Sequence, residues 1–172
     1  MPRRPLLLTG PPAVGTSSVA RALAEQRPRS ALVEVDDLRR MVLSGAVAAW
    51  ASAEGERQTC LAARNACALM TSFTEAGFDV IATDVLLGDA GAVYASAVPR
   101  PLVVRLTVSQ DEALRRAATR PVHLTDQEFQ HLHLLERAAE SADAEVETTL
   151  LSLQQLTVVV AELWRAAPPG AR

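Results

Sequence analysis

The sequence predicts an α/β fold, a five-stranded parallel sheet with helices on both faces in three layers. Short apolar runs that end at glycine or aspartate alternate with helical segments, which is the pattern of β-α-β units. These runs lack the polar alternation of a half-exposed strand, so both faces of the sheet are expected to be covered. The length of 172 residues favours a single domain, 1–172.

Four elements and a long helix are predicted in the first half of the chain. Pro5–Thr9 is an apolar run that stops at a glycine-rich turn, as buried parallel strands do. Thr16–Gln26 has apolar residues at helical spacing and ends just before a proline. Ala31–Val35 is a second strand, followed by two aspartates and a helical stretch at Leu38–Leu43. A long helix is expected at Glu56–Ala76, where a glycine ends it.

The second half continues the alternation. Three more strands are predicted at Phe78–Thr83, Pro101–Val108 and Glu145–Thr149. Ser109 and Thr125 each precede a glutamate by three residues, the signature of a capping box at a helix start. Helices are therefore expected at Asp111–Arg120, from Thr125 onward, and at Leu153–Ala166.

Composition excludes several classes of function. A net charge of −3 and a pI near 5.6 argue against a nucleic-acid partner, which usually faces a basic surface. No apolar run of about 18 residues is present, so no membrane span is expected. Cys60 and Cys67 lie seven residues apart on a predicted helix, too distant to form a disulfide, which fits a reducing cytoplasm. The sequence does not determine the oligomeric state.

Residues 10–18 read Gly-Pro-Pro-Ala-Val-Gly-Thr-Ser-Ser, a phosphate-binding loop without its lysine. The pattern G-x-x-x-x-G-K-[ST] fits at Gly10, Gly15 and Ser17, but Thr16 stands where the ammonium belongs. All 17 basic residues of the chain are arginine. Backbone N–H groups at the helix start bind phosphate, and the serine hydroxyl is placed to ligate Mg²⁺. The predicted phosphate-binding residues are Gly10, Ala13, Val14, Gly15, Thr16, Ser17 and Ser18. The alternative is a glycine-turned junction that binds nothing.

Aspartates follow two of the predicted strands at the same edge of the sheet, where ligands of parallel sheets bind. Asp36 is placed to accept a proton from a substrate hydroxyl as that hydroxyl attacks phosphorus. Its alternative role is a helix N-cap, a role that suits Asp37 better. Asp84 is expected to bind Mg²⁺ directly or through water, together with Ser17, or else to cap the following turn.

Arginines are the candidates for the missing charge. Arg39 and Arg40 follow Asp36 and are predicted, with Asp37 and Asp84, to bind the acceptor substrate. Arg116 and Arg120 are predicted to be catalytic, because a lid near residues 115–130 would close them, with Arg115, over the triphosphate. The alternative is that these arginines only solvate a helix face. His123, His131 and His133 are not expected to form a metal site, because no further ligand stands at a suitable spacing.

Together these motifs resemble the P-loop small-molecule kinases, especially the chloramphenicol phosphotransferase type. The resemblance is clearest in Val33–Asp37, in Gly77–Gly91 and in the arginine-rich stretch before His123. It implies a P-loop NTPase fold of shikimate- or gluconate-kinase type, with ATP or another NTP and Mg²⁺ as cosubstrates. It also implies that Asp36 is the base, and that Arg116 and Arg120 belong to a lid.

Three functions are compatible with the sequence. The first is a kinase that phosphorylates a hydroxyl of a small molecule and uses an arginine in place of the lysine. The second is a nucleotide-binding sensor or pseudo-kinase without transferase activity. The third is a fold that binds only an anion and serves as an interaction module.

Overall fold

Five parallel strands form the centre of the described structure. The computed structural model describes residues 3–118, 125–137 and 142–168. The strand order across the sheet is β2-β3-β1-β4-β5, and every pairing is parallel. The strands are β1 (Leu6–Thr9), β2 (Ser30–Glu34), β3 (Asp79–Thr83), β4 (Leu102–Thr107) and β5 (Ala144–Glu147). The predicted fold class is confirmed.

Helices cover both faces of the sheet. They are α1 (Thr16–Glu25), α2 (Val35–Arg40), α3 (Ala53–Glu75), α4 (Ala90–Ala95), α5 (Gln110–Ala118), α6 (Asp126–Arg137) and α7 (Leu153–Ala166). None of these described helices has both the length and the apolar character needed to cross a membrane.

The central strand β1 separates two hydrophobic cores. Leu6 and Leu8 point into one core, which also contains Trp164 of α7. Leu7 points to the opposite face, into a core that contains Tyr94 of α4. All three leucines are fully buried, because β1 is paired on both edges and covered on both faces.

Helix α2 begins at Val35, directly after β2, three residues earlier than the sequence predicted. Asp36 and Asp37 therefore lie in its first turn, where the positive end of the helix dipole stabilises acidic side chains. The prediction that Asp37 caps this helix is wrong, since the N-cap residue is Glu34, whose side chain makes no capping hydrogen bond.

The predicted capping box at α5 is only half formed. The Glu112 backbone N–H donates to Ser109 Oγ at 3.4 Å, but the Glu112 carboxylate binds arginines of its own helix instead. A charged hydrogen bond to a guanidinium is stronger than one to a neutral N–H, and it takes the carboxylate away from the cap. Helix α7 has a complete capping box from Ser152 and Gln155, which was not predicted from the sequence.

Gly10, at the end of β1, is required by close packing of the backbone. Its φ is +151°, and a Cβ placed there would lie 2.4 Å from the carbonyl oxygen of Leu106 in β4. Gly45 also has a positive φ, +76°, but nothing lies within 4 Å of its Cβ position. Comparing substitutions at the two glycines therefore separates the cost of steric overlap from the cost of backbone strain.

We expect Gly10→Ala to lower the free energy of unfolding by about 2–5 kcal/mol, through φ strain and overlap with the sheet. Gly45→Ala, the control, should cost only the strain, about 1–2 kcal/mol. Urea denaturation of both variants measures the difference. Equal losses would contradict a packing role for Gly10.

Candidate active site

The loop between β1 and α1 leads directly into the N-terminus of a helix. Gly15 adopts φ +106° immediately before the first residue of α1, and Ala13 also has a positive φ of 66°. Helix α1 begins at Thr16, so the N–H groups of its first turn have no partners within the helix. These N–H groups and the helix dipole can bind a phosphate without any side chain.

One cavity of about 990 Å³ joins this loop to the aspartate that follows β2. The order of the strands divides this cavity into two sides. Segments that follow β2 and β3 lie on one side of the loop, which we name the acceptor side because it carries the residues predicted to bind an acceptor. Segments that follow β4 and β5 lie on the other, which we name the nucleotide side because it carries the arginines predicted to face the phosphates. Asp36 is on the acceptor side, with 67% of its side chain exposed.

Arg39 connects Asp36 to a buried carboxylate. Its Nη1 donates to Asp36 Oδ1 at 2.8 Å, and its Nη2 donates to Asp84 Oδ1 at 2.6 Å. Asp84 follows β3 and its side chain is fully buried. The Tyr94 hydroxyl donates to the other oxygen of Asp84 at 2.7 Å. Asp84 is not among the residues that line the cavity, whereas its partner Arg39 is.

Burial and charge oppose each other in this cluster. Burial raises the pKa of Asp84, and the Arg39 guanidinium and the Tyr94 hydroxyl act in the opposite direction. Burial alone would lower the pKa of Arg39, but its two carboxylate partners outweigh this and raise it. The pKa of Tyr94 is raised well above its usual value by burial and by the nearby Asp84 charge. Arg39 is therefore a fixed cation, and the Tyr94 hydroxyl stays protonated.

Asp37 and Arg40, the other predicted acceptor-binding residues on α2, form an exposed pair. Arg40 Nη1 donates to Asp37 Oδ1 at 2.8 Å, and both side chains are more than half exposed. Only Arg40 of the two lines the cavity. Such exposed pairs contribute little to stability, so Arg40 is free to exchange its partner.

Arg116 holds the phosphate-binding loop from the nucleotide side. Its Nη1 donates to the Val14 carbonyl at 3.2 Å and to Thr148 Oγ1 at 3.1 Å. Its Nη2 donates to the Thr148 carbonyl at 2.8 Å, and its Nε donates to Glu112 at 2.7 Å. The guanidinium therefore ties α5 to the loop and to the end of β5. Arg120, predicted to act beside it, lies outside the described residues, as do residues 119–124 of the predicted lid.

Arg115 is the more exposed arginine of α5. It lines the cavity with 70% of its side chain exposed, and it makes two hydrogen bonds to Glu112 at 2.6 and 2.7 Å. Hydrogen bonds from Arg115 and Arg116 lower the pKa of Glu112 to about 2, so this carboxylate is charged at neutral pH.

Helix α6 lies against the phosphate-binding loop. His133 Nε2 is 3.1 Å from the Pro12 carbonyl, and Leu132 lines the cavity. His131 contacts the Trp50 ring edge-on, with 6.2 Å between ring centroids. His123 lies outside the described residues. Within the described part of the chain, no three His, Cys, Asp or Glu side chains cluster as a metal site would require.

Sequence reasoning missed three contributors to the site. Tyr94, the only tyrosine of the chain, carried no signal, because its partner Asp84 lies on another element. Thr148 and Trp50 were also unnoticed, since neither belongs to a motif. The apolar character of the segment around Trp50 was the one available hint that it lines a cavity.

Comparison with known proteins supports the fold. No protein-family model matches the chain, and no curated protein sequence does. A sugar kinase from Janibacter sp. HTCC2649 superposes with a TM-score of 0.71 at 17% identity, covering 95% of each chain.

Two further structures are similar over nearly their whole length. Shikimate kinase from Acinetobacter baumannii, in complex with shikimate, has a TM-score of 0.61 at 21% identity and covers 94% of this chain and 92% of its own. The tunicamycin resistance protein of Deinococcus radiodurans has a TM-score of 0.65 at 18% identity and covers 99% of this chain and 100% of its own. The resemblance predicted from the sequence is confirmed at the level of the fold, and the chain has the fold of the P-loop small-molecule kinases.

Proposed function

We propose that this protein is an ATP-dependent phosphotransferase that acts on a hydroxyl group of a small molecule. The observation that carries the proposal is that the phosphate-binding loop and Asp36 line the same cavity. A phosphate donor and an acceptor hydroxyl that are both bound in this cavity would be able to come into contact. Similar folds in a sugar kinase and a shikimate kinase support the same reaction class.

The residues of the loop fit a nucleoside triphosphate and its Mg²⁺. Loop and helix N–H groups would bind the phosphates, and the exposed Ser17 hydroxyl would hold the metal with nucleotide oxygens and water. The metal would neutralise charge on the transferred phosphoryl group. We assign Asp84 to Arg39 rather than to the metal, because its side chain is fully buried, pairs with Arg39 and does not line the cavity.

Asp36 would act as general base. Its Oδ1 accepts from Arg39, which leaves Oδ2 to take the proton of the acceptor hydroxyl. The acceptor oxygen would then form a bond to the γ-phosphorus while the bond from that phosphorus to the β,γ-bridging oxygen breaks. The products would be ADP and the phosphorylated acceptor.

The lining of the acceptor side favours an uncharged alcohol with an apolar body. Most of its side chains are aliphatic or aromatic: Val42, Ala46, Val47, Ala48, Ala49, Trp50, Leu61, Ala62, Val85 and Leu87. Its two arginines, Arg39 and Arg40, already face carboxylates. A carboxylated acceptor would have to displace one of those pairs.

The missing lysine requires a cation from the nucleotide side. Arg116 already donates hydrogen bonds to the carbonyls of Val14 and Thr148, so its guanidinium holds the loop in place. Arg115 is exposed at the cavity, and its one acidic partner among the described residues is Glu112, so we assign it the contact with the phosphates. Arg120 remains a candidate for the same task.

Asp36→Asn should reduce phosphoryl transfer by about 10²–10⁴-fold, because the amide cannot accept the proton. Nucleotide affinity should be kept. The control Glu54→Gln removes an exposed acid that pairs with an arginine three residues later, as Asp36 does, but lies outside the cavity. A coupled assay of ADP release over a panel of apolar alcohols measures both variants. Full activity of Asp36→Asn would refute the assignment of the base.

A nucleotide-binding protein without transferase activity is the second candidate, favoured by Thr16 and by the carboxylate partners of Arg39, Arg40 and Arg115. Thr16→Lys should tighten ATP binding about tenfold or more, the worth of one charged hydrogen bond. Thr16→Met, which has a long neutral side chain, should not. Isothermal titration calorimetry measures both affinities.

Turnover by these variants separates the candidates. A kinase with a compensating arginine is active as wild type and loses rate on Arg115→Gln. A wild type that binds ATP, turns over no acceptor and gains activity with Thr16→Lys would establish the second candidate. If millimolar nucleotide does not raise the melting temperature, the result favours the third function, an anion-binding interaction module.

A further inference from the structure

We propose that Arg39 is a positioning residue, which the buried Asp84 and Tyr94 hold in place and which in turn fixes the carboxylate of Asp36 for proton transfer. The proposal rests on the function proposed above. It replaces the sequence-based expectation that Arg39 binds the acceptor, and it gives Asp84 and Tyr94 a role that no comparison assigns.

Asp84 is the fixed point of this arrangement. Its side chain is fully buried, and each carboxylate oxygen accepts a hydrogen bond, one from Arg39 and one from Tyr94. Its backbone N–H donates to the Leu8 carbonyl at 3.1 Å, which attaches it to the central strand. Tyr94 is 1% exposed and belongs to the core beneath α3 and α4, so the hydroxyl cannot swing away. Together these contacts hold the Asp84 carboxylate in a single position.

Arg39 transmits that position to the cavity. Its two terminal nitrogens point to two different carboxylates, with Asp84 behind it and Asp36 in front. Asp36 and Arg39 are three residues apart on α2, so they lie on the same face of the helix. The planar guanidinium defines the direction of both hydrogen bonds, which a lysine ammonium would not do.

The charges of the cluster serve the same purpose. One guanidinium faces two carboxyl groups, of which Asp84 is buried and Asp36 is exposed. If Asp84 were absent, Arg39 would be free to turn from Asp36 toward an anionic phosphate. If Arg39 were absent, the buried charge of Asp84 would be uncompensated, which is strongly destabilising. Asp84 therefore keeps Arg39 away from the phosphates and against the base.

A double-mutant cycle between Arg39 and Asp36 tests the proposal. Arg39→Met keeps the stem and removes the charge. We expect it to lower kcat by about 10–10²-fold, the cost of a displaced catalytic group, with little change in KM for the acceptor. In an Asp36→Asn background, Arg39→Met should have no further effect on kcat. The control Arg57→Met removes the arginine of the exposed pair with Glu54 and should leave kcat unchanged.

Two companion variants guard against misfolding. Arg39→Met with Asp84→Asn removes both charges of the buried pair, so it should be folded even if Arg39→Met alone is not, and it should show the loss of kcat expected for Arg39→Met. Tyr94→Phe keeps the ion pair but leaves one oxygen of Asp84 without a donor, so a smaller loss of kcat is expected. Thermal denaturation confirms that each variant is folded before its kinetics are compared.

The outcomes separate this proposal from the proposed function. If wild type transfers phosphate and Asp36→Asn does not, the function stands, and the Arg39 variants alone decide the inference. A raised KM at constant kcat, or a loss that adds fully to that of Asp36→Asn, would show that Arg39 binds the acceptor and would overturn the inference. A wild type without phosphotransfer to any acceptor overturns both.

Discussion

The site exists because parallel strands end at the same level of the sheet. β1, β2 and β3 lie side by side and run in one direction, so the phosphate-binding loop, Asp36 and Asp84 emerge at one edge. The hydrogen bond from the Asp84 N–H to the Leu8 carbonyl continues the ladder one residue beyond the strand. This backbone pairing fixes the relative height of the loop and the aspartates, and the side-chain chemistry depends on it.

The second constraint is a fully buried carboxylate. Taking the Asp84 charge out of water is costly, and the structure compensates with a guanidinium at 2.6 Å and a tyrosine hydroxyl at 2.7 Å. Meeting that demand occupies Arg39, which lines the same cavity as residues 10–18. On the acceptor side of the cavity, the buried Asp84 therefore fixes Arg39, and Arg39 in turn contacts the exposed Asp36.

The arginines of the cavity have different tasks, although they are alike in the sequence. Arg116 supports the loop through the Val14 carbonyl, and Arg39 connects two carboxylates. Arg115 and Arg40 are exposed, and in the described part of the chain each pairs with one carboxylate, on its own helix. Only exposed cations of this kind can turn to a phosphate at small cost, because their present pairs are screened by water.

Local patterns in the sequence were sufficient for the sheet, for most helices and for the position of the phosphate-binding loop. Apolar runs, glycines and helix spacing are read from neighbouring residues, and the predicted strands agree with the observed ones to within a few residues. The start of α2 was misplaced because two aspartates after a strand predict a cap, whereas they lie within the first helical turn. The expectation that Asp36 lies at the same edge of the sheet as the loop followed from the parallel direction of the strands, which the alternation of strands and helices indicates.

By itself, the sequence determined the parallel α/β architecture, the lysine-free loop at residues 10–18 and the aspartates after two strands. Only the tertiary structure decided which charges meet. Arg39 donates a hydrogen bond to Asp84, which is 45 positions away in the sequence, and Arg116 donates one to the carbonyl of Val14, which is 102 positions away. The physical reason is that secondary structure depends on local spacing, whereas the partner of an arginine depends on which carboxylate is buried beside it and needs a counter-charge.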